Sequence, residues 1–589
     1  MDIKSVINSL HSPSYNPPRS GKDLSHRKIF SMKLGELLPV LCEECVPEDY
    51  FEIDLASLVR TCMPMQTAAY LRAKIHFDFF FVPMTSIWRN FDAFYYQRAD
   101  NYTSYKQGMN YEPNINLLNL VVAQQMGNTN ATAGIRDSKA GRAKLCELLG
   151  YSDWSGFTAA DFASGAQFGN LADKSLSALP LFAYNRIYNL HYRNGWLDEP
   201  TADDVRSMSA DCLDCSTYLD SLVYPTTSLT DNPEIPGIVQ LHYHQYPQDL
   251  FQGLLPSQQF GVVSSVSVNA LSNSLILKRS DGGNISSSDP KLYTGSSISN
   301  LFDGSPSNNS ELKFYNNIES SFDIIALRKA LALQKWKEYN SRAGWKAGAQ
   351  QRAMFGVGEA SDRVHDVEFI DSYQFPIMVD EVVQSGAGVL SNGTTSQSTK
   401  WYETKLGDIA GKGIGIGNGH KIKFNVGKRW GYLMCIAYIS ADTEYNALGI
   451  DKQLVRSTPD QHYMPAFANL GLEPVFKFEL NAHGDQTKFN NTLGFSTRYH
   501  EYKTRVDKVF GLFKSGKSFS NWCAPRRDLA NIANSGTIPT SYLYVNPNCL
   551  DTIFYANSDG TLNTDQFMCN VNFEVKAVRS MSDLGLPQL

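Results

Sequence analysis

Apolar residues in this chain recur at every second position through run after run, a period that accommodates little other than half-buried β-strands. Ile75, Phe77, Phe79 and Phe81 alternate with His76, Asp78 and Phe80, and Pro83 ends the run. The pattern returns at Ile422, Phe424 and Val426, passes a Gly427-Lys428 turn, and continues through Tyr432, Met434, Ile436 and Tyr438. Further runs are Phe476, Phe478 and Leu480, then Tyr542 to Val545, and finally Val571, Phe573 and Val575 set against Asn572, Glu574 and Lys576. They sit at both ends of the chain, so the first and last segments are expected to pair in a closed sandwich. Alternation, rather than continuous apolar runs, favours antiparallel sheets over a doubly wound parallel one. The expected class is mainly β.

The middle of the chain has a different period. Ile324, Leu327 and Leu331 recur at helical spacing through LRKALALQKWKEY, after Ser320 and Asp323 in a capping-box-like arrangement. Helix-like patterns also occur near 140–150 and 180–192. A Ser/Asn/Gly-rich tract from about 262 to 320 cannot fill a core and reads as long surface loops. The Gly-rich stretch Gly411 to Gly419 satisfies GxGxxG in no register and reads as a flexible turn leading into the strand at 422. The architecture is thus a β-sandwich with large insertions. Composition alone leaves jelly-roll, immunoglobulin-like and lectin-like sandwiches open.

Composition narrows the function. Of 589 residues, 42% are apolar, enough for a large core, and only 19% are charged, against about 25% in an ordinary soluble domain. Few charges beside 12% aromatic residues suit extensive contacts between subunits. A net charge of −6 argues against coating by nucleic acid over the whole surface, while leaving room for one basic face. The N-terminal stretch lacks the apolar region of a secretory signal, and no segment approaches the roughly 20 apolar residues that span a bilayer. Ten cysteines are an ordinary count for a chain made in a reducing cytoplasm.

Several motifs could carry chemistry. Gly511-Leu-Phe-Lys-Ser-Gly516-Lys517-Ser518 formally matches the phosphate-binding P-loop, in which Lys517 would reach the β/γ-phosphates and Ser518 would hold Mg²⁺. A P-loop needs a buried parallel strand before it and a helix after it, yet Pro525 follows closely and no βαβ alternation surrounds it. A Gly/Lys/Ser loop between strands is the expected reading. Two C-x-x-C pairs, Cys42/Cys45 and Cys212/Cys215, could together supply four thiolates to zinc. With about 170 residues between the pairs, free thiols are expected instead. His242 and His244 would share one face of a strand, with no third ligand nearby, so a surface or interface role is expected. Arg526, Arg527, Lys576 and Arg579, with Trp522 close by, are candidates for contacts to single-stranded DNA through phosphate pairing and stacking. No catalytic residue, metal or cofactor is expected.

Eight stretches, in order along the chain, resemble the gokushovirus-type major capsid protein of the Microviridae. They are Asp23-Leu-Ser-His26 with Gly35 to Glu44 and Pro47; Phe79-Phe-Phe-Val-Pro83; Leu179 to Asn185 with Ile187, Asn189 and Arg193; and Asp249-Leu-Phe with Leu255-Pro256 and Gln258. The others are Leu327-Arg-Lys-Ala330 with Gln334-Lys335, Arg342 and Gly344; Ala410 to Asn418; Phe495 with Arg498-Tyr-His-Glu-Tyr-Lys503; and Val575-Lys-Ala-Val-Arg579 with Met581, Pro587 and Leu589. The resemblance implies an antiparallel eight-stranded jelly-roll sandwich of the viral capsid type, assembling with copies of itself into a small icosahedral (T=1) shell around circular single-stranded DNA. It implies one capsid domain over 1–589: an N-terminal arm at 1–22, most strands in 23–97 and 400–589, an insertion with short helices at 98–261, and a helix with loops at 321–399. The tract 262–320 corresponds to a variable projecting loop suspected in attachment to a host cell-surface receptor, with Asp281, Asn284, Ser286, Tyr293 and Asn308 as candidate contacts. Small DNA-binding and minor virion proteins are further implied partners. The implied location is the virion, assembled in the bacterial cytoplasm without membrane insertion. The rival readings are a P-loop NTPase at 511–518 and a carbohydrate-binding β-sandwich.

Overall fold

The last apolar run folds as one long strand that lies between the two N-terminal strands and the middle of a sheet. A computed structural model of the protein describes residues 18–62, 65, 67–88, 91–96, 113–125, 138–162, 166–171, 174–195, 197–198, 237–259, 276–278, 313–315, 324–343, 347–356, 367–383, 388–391, 400–404, 409–523, 538, 542–550, 553–554 and 564–581. The sandwich strands are β1 (Ser20–Asp23), β2 (His26–Met32), β3 (Leu38–Cys45), β4 (Tyr50–Thr61), β5 (Ala73–Pro83), β6 (Glu368–Val383), β7 (Ile409–Asn418), β8 (Ile422–Asn425), β9 (Gly431–Ala441) and β10 (Phe567–Arg579). All their pairings are antiparallel. Strands β1 and β2 lie end to end along β10, and β7 and β8 end to end along β4. Each pair therefore fills one strand position. One sheet runs β1/β2, β10, β4, β7/β8; the other runs β3, β9, β5, β6. The strands follow one another in the order of an eight-stranded jelly roll, and the two ends pair as the strands at both ends of the sequence implied. Ser20–Lys22, at the end of the arm, are already strand.

Side chains of the two sheets meet in the sandwich interior, where Phe81 of β5 packs on Phe424 of β8 at 5.4 Å. Phe51, Ile53, Leu55 and Val59 of β4 and Val571, Phe573 and Val575 of β10 are buried, as are Phe77, Phe79 and Phe81. In β9 the register places Leu433, Cys435 and Ala437 opposite Phe81, Phe79 and Phe77. These, and not Tyr432, Met434, Ile436 and Tyr438, are its interior residues. The latter four face the insertion, so β9 is buried on both sides.

That second face is covered by the insertion after β5. Its helices are α1 (Leu117–Gln125), α2 (Lys139–Leu149) and α3 (Leu179–Ile187), the last continuing as a wider turn, Tyr188–Tyr192. Helices α2 and α3 fall where the helical period predicted them. Ser138 caps α2 by accepting from Gly141 N–H, and Gly150 ends it at φ 96°, a backbone conformation cheap only for glycine. Tyr438 is stacked between His76 (4.6 Å) and His244 (4.2 Å), and Tyr192 donates to Asp78 at 2.7 Å. His242 stacks on Tyr188 at 3.7 Å. Of the two histidines expected at a surface or interface, His242 is buried and His244 half-buried, and both join the insertion to the sheet.

The Gly411–Gly419 stretch is not a flexible turn. It lies in β7 and the residue after it, and its odd positions are all glycine: Gly411 and Gly413 lie against Thr67 and Thr61, and Gly415, Gly417 and Gly419 lie where β6 crosses from one sheet to the other. Glu368–Ile377 of β6 pairs with β5, and Met378–Val383 pairs with β7. The side chains of Tyr373, Phe375 and Ile377 occupy the space that β7's inward side chains would need. A Cβ at Gly419 would lie 2.6 Å from Tyr373, one at Gly415 3.2 Å from Ile377, and one at Gly417 inside the Phe375 ring. Two other expectations are corrected. Tyr542 to Val545 are buried but make only an isolated bridge, Gln245 with Tyr544. The strand near Phe476 is Leu472–Phe476, after which Lys477–Leu480 form a helical turn, because the Glu479 carboxylate accepts from Phe476 N–H.

Residues Gln259–Gly344 and Ala353–Phe355 form a separate compact unit. Within it, Ile276–Lys278 pairs with Lys313–Tyr315, and the predicted helix α4 runs Ile324–Ala343. The capping residues Ser320 and Asp323 lie outside the described residues. Among the described residues no helix is long and apolar enough to cross a membrane.

Candidate functional site

The P-loop-like segment belongs to the long insertion between β9 and β10. It folds as a short 3-10 turn, Gly511–Phe513, followed by further turns and a second 3-10 turn, Ser520–Trp522. Among the described residues no α-helix follows Ser518. A phosphate cradle needs free backbone N–H groups, yet most of those here are engaged. Lys514 N–H donates to Gly511, Lys517 N–H to Lys514, and Phe519 N–H to Leu512. Ser515 N–H donates to the Asn446 side chain at 3.1 Å, and Asn446 donates back to Ser515 Oγ at 3.0 Å. The loop is pinned in a shape unlike a P-loop, and its lysines point to other work.

Trp522 sits beside this loop, tied to the segment between β4 and β5. Tyr70 N–H donates to the Trp522 carbonyl at 2.7 Å, and Thr67 Oγ1 to the Asn521 carbonyl at 3.2 Å. The Trp522 and Tyr70 rings are 5.6 Å apart. Lys576 and Arg579 lie elsewhere. Lys576 opposes Glu52, near the start of β4, whereas Tyr70 follows that strand's other end, roughly 30 Å away by strand rise. Lys576 is exposed and paired with Glu574 at 2.8 Å, with Asp23 and Glu52 as cross-strand neighbours. Arg579 lies 3.3 Å from Asp49, donates to the Glu44 carbonyl at 2.8 Å and covers the Phe51 ring. It closes the edge of the sandwich. The solvent face of the β10/β4 sheet therefore mixes both signs. Arg526, Arg527, Asp281, Asn284, Ser286, Tyr293 and Asn308 lie outside the described residues.

Cys42 and Cys45 lie on β3, where a spacing of three turns them to opposite faces. Burial pushes the Cys42 thiol up to about 12 and Cys45 higher still. They are inert thiols of the core rather than half of a metal knuckle; Cys212 and Cys215 lie outside the described residues.

The densest charged cluster among the described residues was not legible in the sequence. His500 is buried between two carboxylates, with Nδ1 2.9 Å from Glu473 and Nε2 2.7 Å from Glu479. Lys452 reaches Glu473 at 2.9 Å, and Arg456 reaches Glu501 at 2.6 Å. Burial alone would lower the His500 pKa, but hydrogen bonds to Glu473 and Glu479 outweigh it and raise it. Burial would likewise raise Glu473, but the bonds from His500 and Lys452 hold it down at about 2. Each ring nitrogen faces a carboxylate oxygen, an arrangement that suits the doubly protonated ring. Glu473, His500 and Glu501 are close enough together to hold a metal ion. However, three carboxylates here already face an imidazolium, a lysine and an arginine, so the charges close without one. The cluster borders a cavity of about 260 Å³ lined by Leu250, Phe251, Glu479, Glu501 and Phe510. It joins segments 452–456, 473–479 and 500–501, none of which contributes a sandwich strand. A sequence holds no periodic signal for such a long-range meeting.

Residues 11–127 and 154–589 match the capsid protein (F protein) family. The chain is similar to capsid protein VP1 of Chlamydia phage 1, 22% identical over 656 aligned positions that cover 100% of this chain and 98% of that one. It is also similar to capsid protein VP1 of Bdellovibrio phage phiMH2K (21% identical, covering 85% and 84%) and of Spiroplasma virus 4 (20% identical, covering 86% and 84%).

Proposed function

Because the chain belongs to the capsid protein (F protein) family, a structural protein that assembles with copies of itself into a virion shell, we propose that this shell is a T=1 icosahedron enclosing circular single-stranded DNA. The observation that carries the reading is the end-to-end correspondence with a capsid protein VP1, strands and insertions together. A jelly roll supplies a rigid wall, and its long insertions supply distinct patches for neighbours. Closed shells need heterologous contacts that close into rings, and many moderate contacts then act collectively. Lys576, Arg579, Trp522, Arg526 and Arg527 are proposed to hold DNA without reading its sequence. The tract 262–320, with Asp281, Asn284, Ser286, Tyr293 and Asn308, is proposed to project and meet a host receptor. Assembly is proposed to occur in the bacterial cytoplasm, with small DNA-binding and minor virion proteins as partners.

Sedimentation velocity on the purified chain, followed by electron microscopy of any fast-moving material, tests the shell. Uniform closed particles with sixty subunits are the expected result; a different subunit number refutes T=1. Deletion of residues 265–315 is expected to leave particles intact and to reduce adsorption to host cells at least tenfold. Loss of particles on deletion would make the tract structural and overturn the attachment role.

A further inference from the structure

We infer that Tyr70, Phe510, Phe519 and Trp522, together with Lys514 and Lys517, form a platform for single-stranded DNA. The inference rests on the proposed enclosure of single-stranded DNA and gives it a location. Trp522, Tyr70, Phe513 and Phe519 form a continuous ladder of rings, with successive centroids 5.6, 6.5 and 5.4 Å apart. Tyr70 is 63% exposed, Phe510 65% and Phe519 43%. Rings of this kind are ordinarily buried, and several together on a surface mark a site of contact. The loop carrying them does not flex freely, since Asn446 and the Tyr70 and Thr67 hydrogen bonds hold it to its surroundings.

Charge selects the occupant. From Lys508 to Arg527 the chain carries five basic residues and no acidic one, in a protein of net charge −6. Lys508 is paired with Asp451 at 2.5 Å. The nearby carboxylates Asp442, Glu444 and Asp507 converge on Arg72. Lys514 and Lys517 have no ion-pair partner among the described residues. Lysine is depleted in the centres of protein–protein contacts, whereas unpaired lysines interleaved with exposed rings are what a flexible polyanion with flat bases requires. Bases would stack on the rings and phosphates would pair with the two ammonium groups, without sequence preference.

The test uses the purified full chain, a fluorescent oligo(dT) probe and binding measured by anisotropy across a salt series. Lys514→Gln with Lys517→Gln is expected to flatten the slope of log affinity against log salt by about 1.4, the effect of losing two phosphate contacts to a single strand. Phe510→Ala with Phe519→Ala is expected to weaken binding about tenfold or more while leaving that slope unchanged. Phe510, Lys517 and Phe519 are exposed and Lys514 is half-buried, so circular dichroism and the melting temperature should match the parent. Photo-crosslinks from DNA-filled particles should map to Tyr70, Phe510 or Phe519. Particles that hold DNA but crosslink elsewhere, with both variants binding as the parent does, would overturn the platform and leave enclosure standing. Particles free of nucleic acid would instead overturn enclosure. Variants that bind oligo(dT) normally yet fail to assemble would show the patch to be a contact between copies, and would also overturn the inference.

Discussion

Gly417→Val is expected to abolish soluble folded protein. A side chain there must enter the space held by the Phe375 ring. The backbone that carries the ring cannot simply retreat, because β6 is paired with β5 as far as Ile377 and with β7 from Met378 onward. Overpacking in a core ordinarily costs about 1–3 kcal/mol; at a crossing between two sheets, where the backbone cannot retreat, the upper end or beyond is expected. Gly417→Ala is the milder probe, expected to cost about 3 kcal/mol. Phe375→Ala removes the obstacle at a cost of its own. The double variant should melt at a higher temperature than the summed losses of the two single variants imply, with a coupling of about 2 kcal/mol. Strictly additive losses would refute the account of why β7 is glycine at every second place.

The second large effect concerns His500. His500→Ala removes an imidazolium from between two carboxylates and leaves Glu473 and Glu479 facing each other in a buried site, expected to cost about 3–5 kcal/mol. The pH dependence has a definite sign. The folded pKa of His500 is raised, so its contribution is complete below the ordinary histidine value of about 6.5 and fades as pH rises through the folded value. Glu473 is depressed from 4.5 to about 2, so its contribution is complete above 4.5 and fades as pH falls through about 2. The difference between parent and variant in denaturant midpoint should therefore be complete between about pH 4.5 and 6.5 and shrink as pH rises through the raised folded value. A difference that grows at alkaline pH would mean that His500 is neutral in the fold.

How far the sequence foretold these features depends on the range of the interactions. Strands β5, β9 and β10 and helices α2, α3 and α4 were legible because the period of their apolar residues is a local property. The pairing of the chain's two ends followed from strands lying at both ends. Strand β7 obeys the same rule, with Ile414 and Ile416 alternating with glycines, but glycine in a sequence signals a turn as readily as it signals room for a ring such as Phe375. In β9 the apolar residues are continuous, so the period locates the strand but does not tell which alternate set faces the sandwich interior. Tyr542 to Val545 are a short continuous apolar run, which suits a buried strand, but they make only one isolated bridge among the described residues. The meeting of His500 with Glu473, Glu479 and Lys452 depends on the folding of a whole insertion. No spacing rule records it.

The position of β10 has a bearing on synthesis. This strand joins β1 and β2 to β4, yet it is made more than 500 residues after they are. At ordinary translation speeds of about 5–20 residues per second, the interval is roughly half a minute to two minutes. Throughout it, the N-terminal strands lack their neighbour, and one edge of β4 stays open to chance partners. A truncated product of a broken message never closes that edge. Chains that lack β10 leave β1 and β2 without a partner and one edge of β4 unpaired, so they are expected to be excluded from particles, with incorporation of a chain cut before Phe567 as the measurement that checks it.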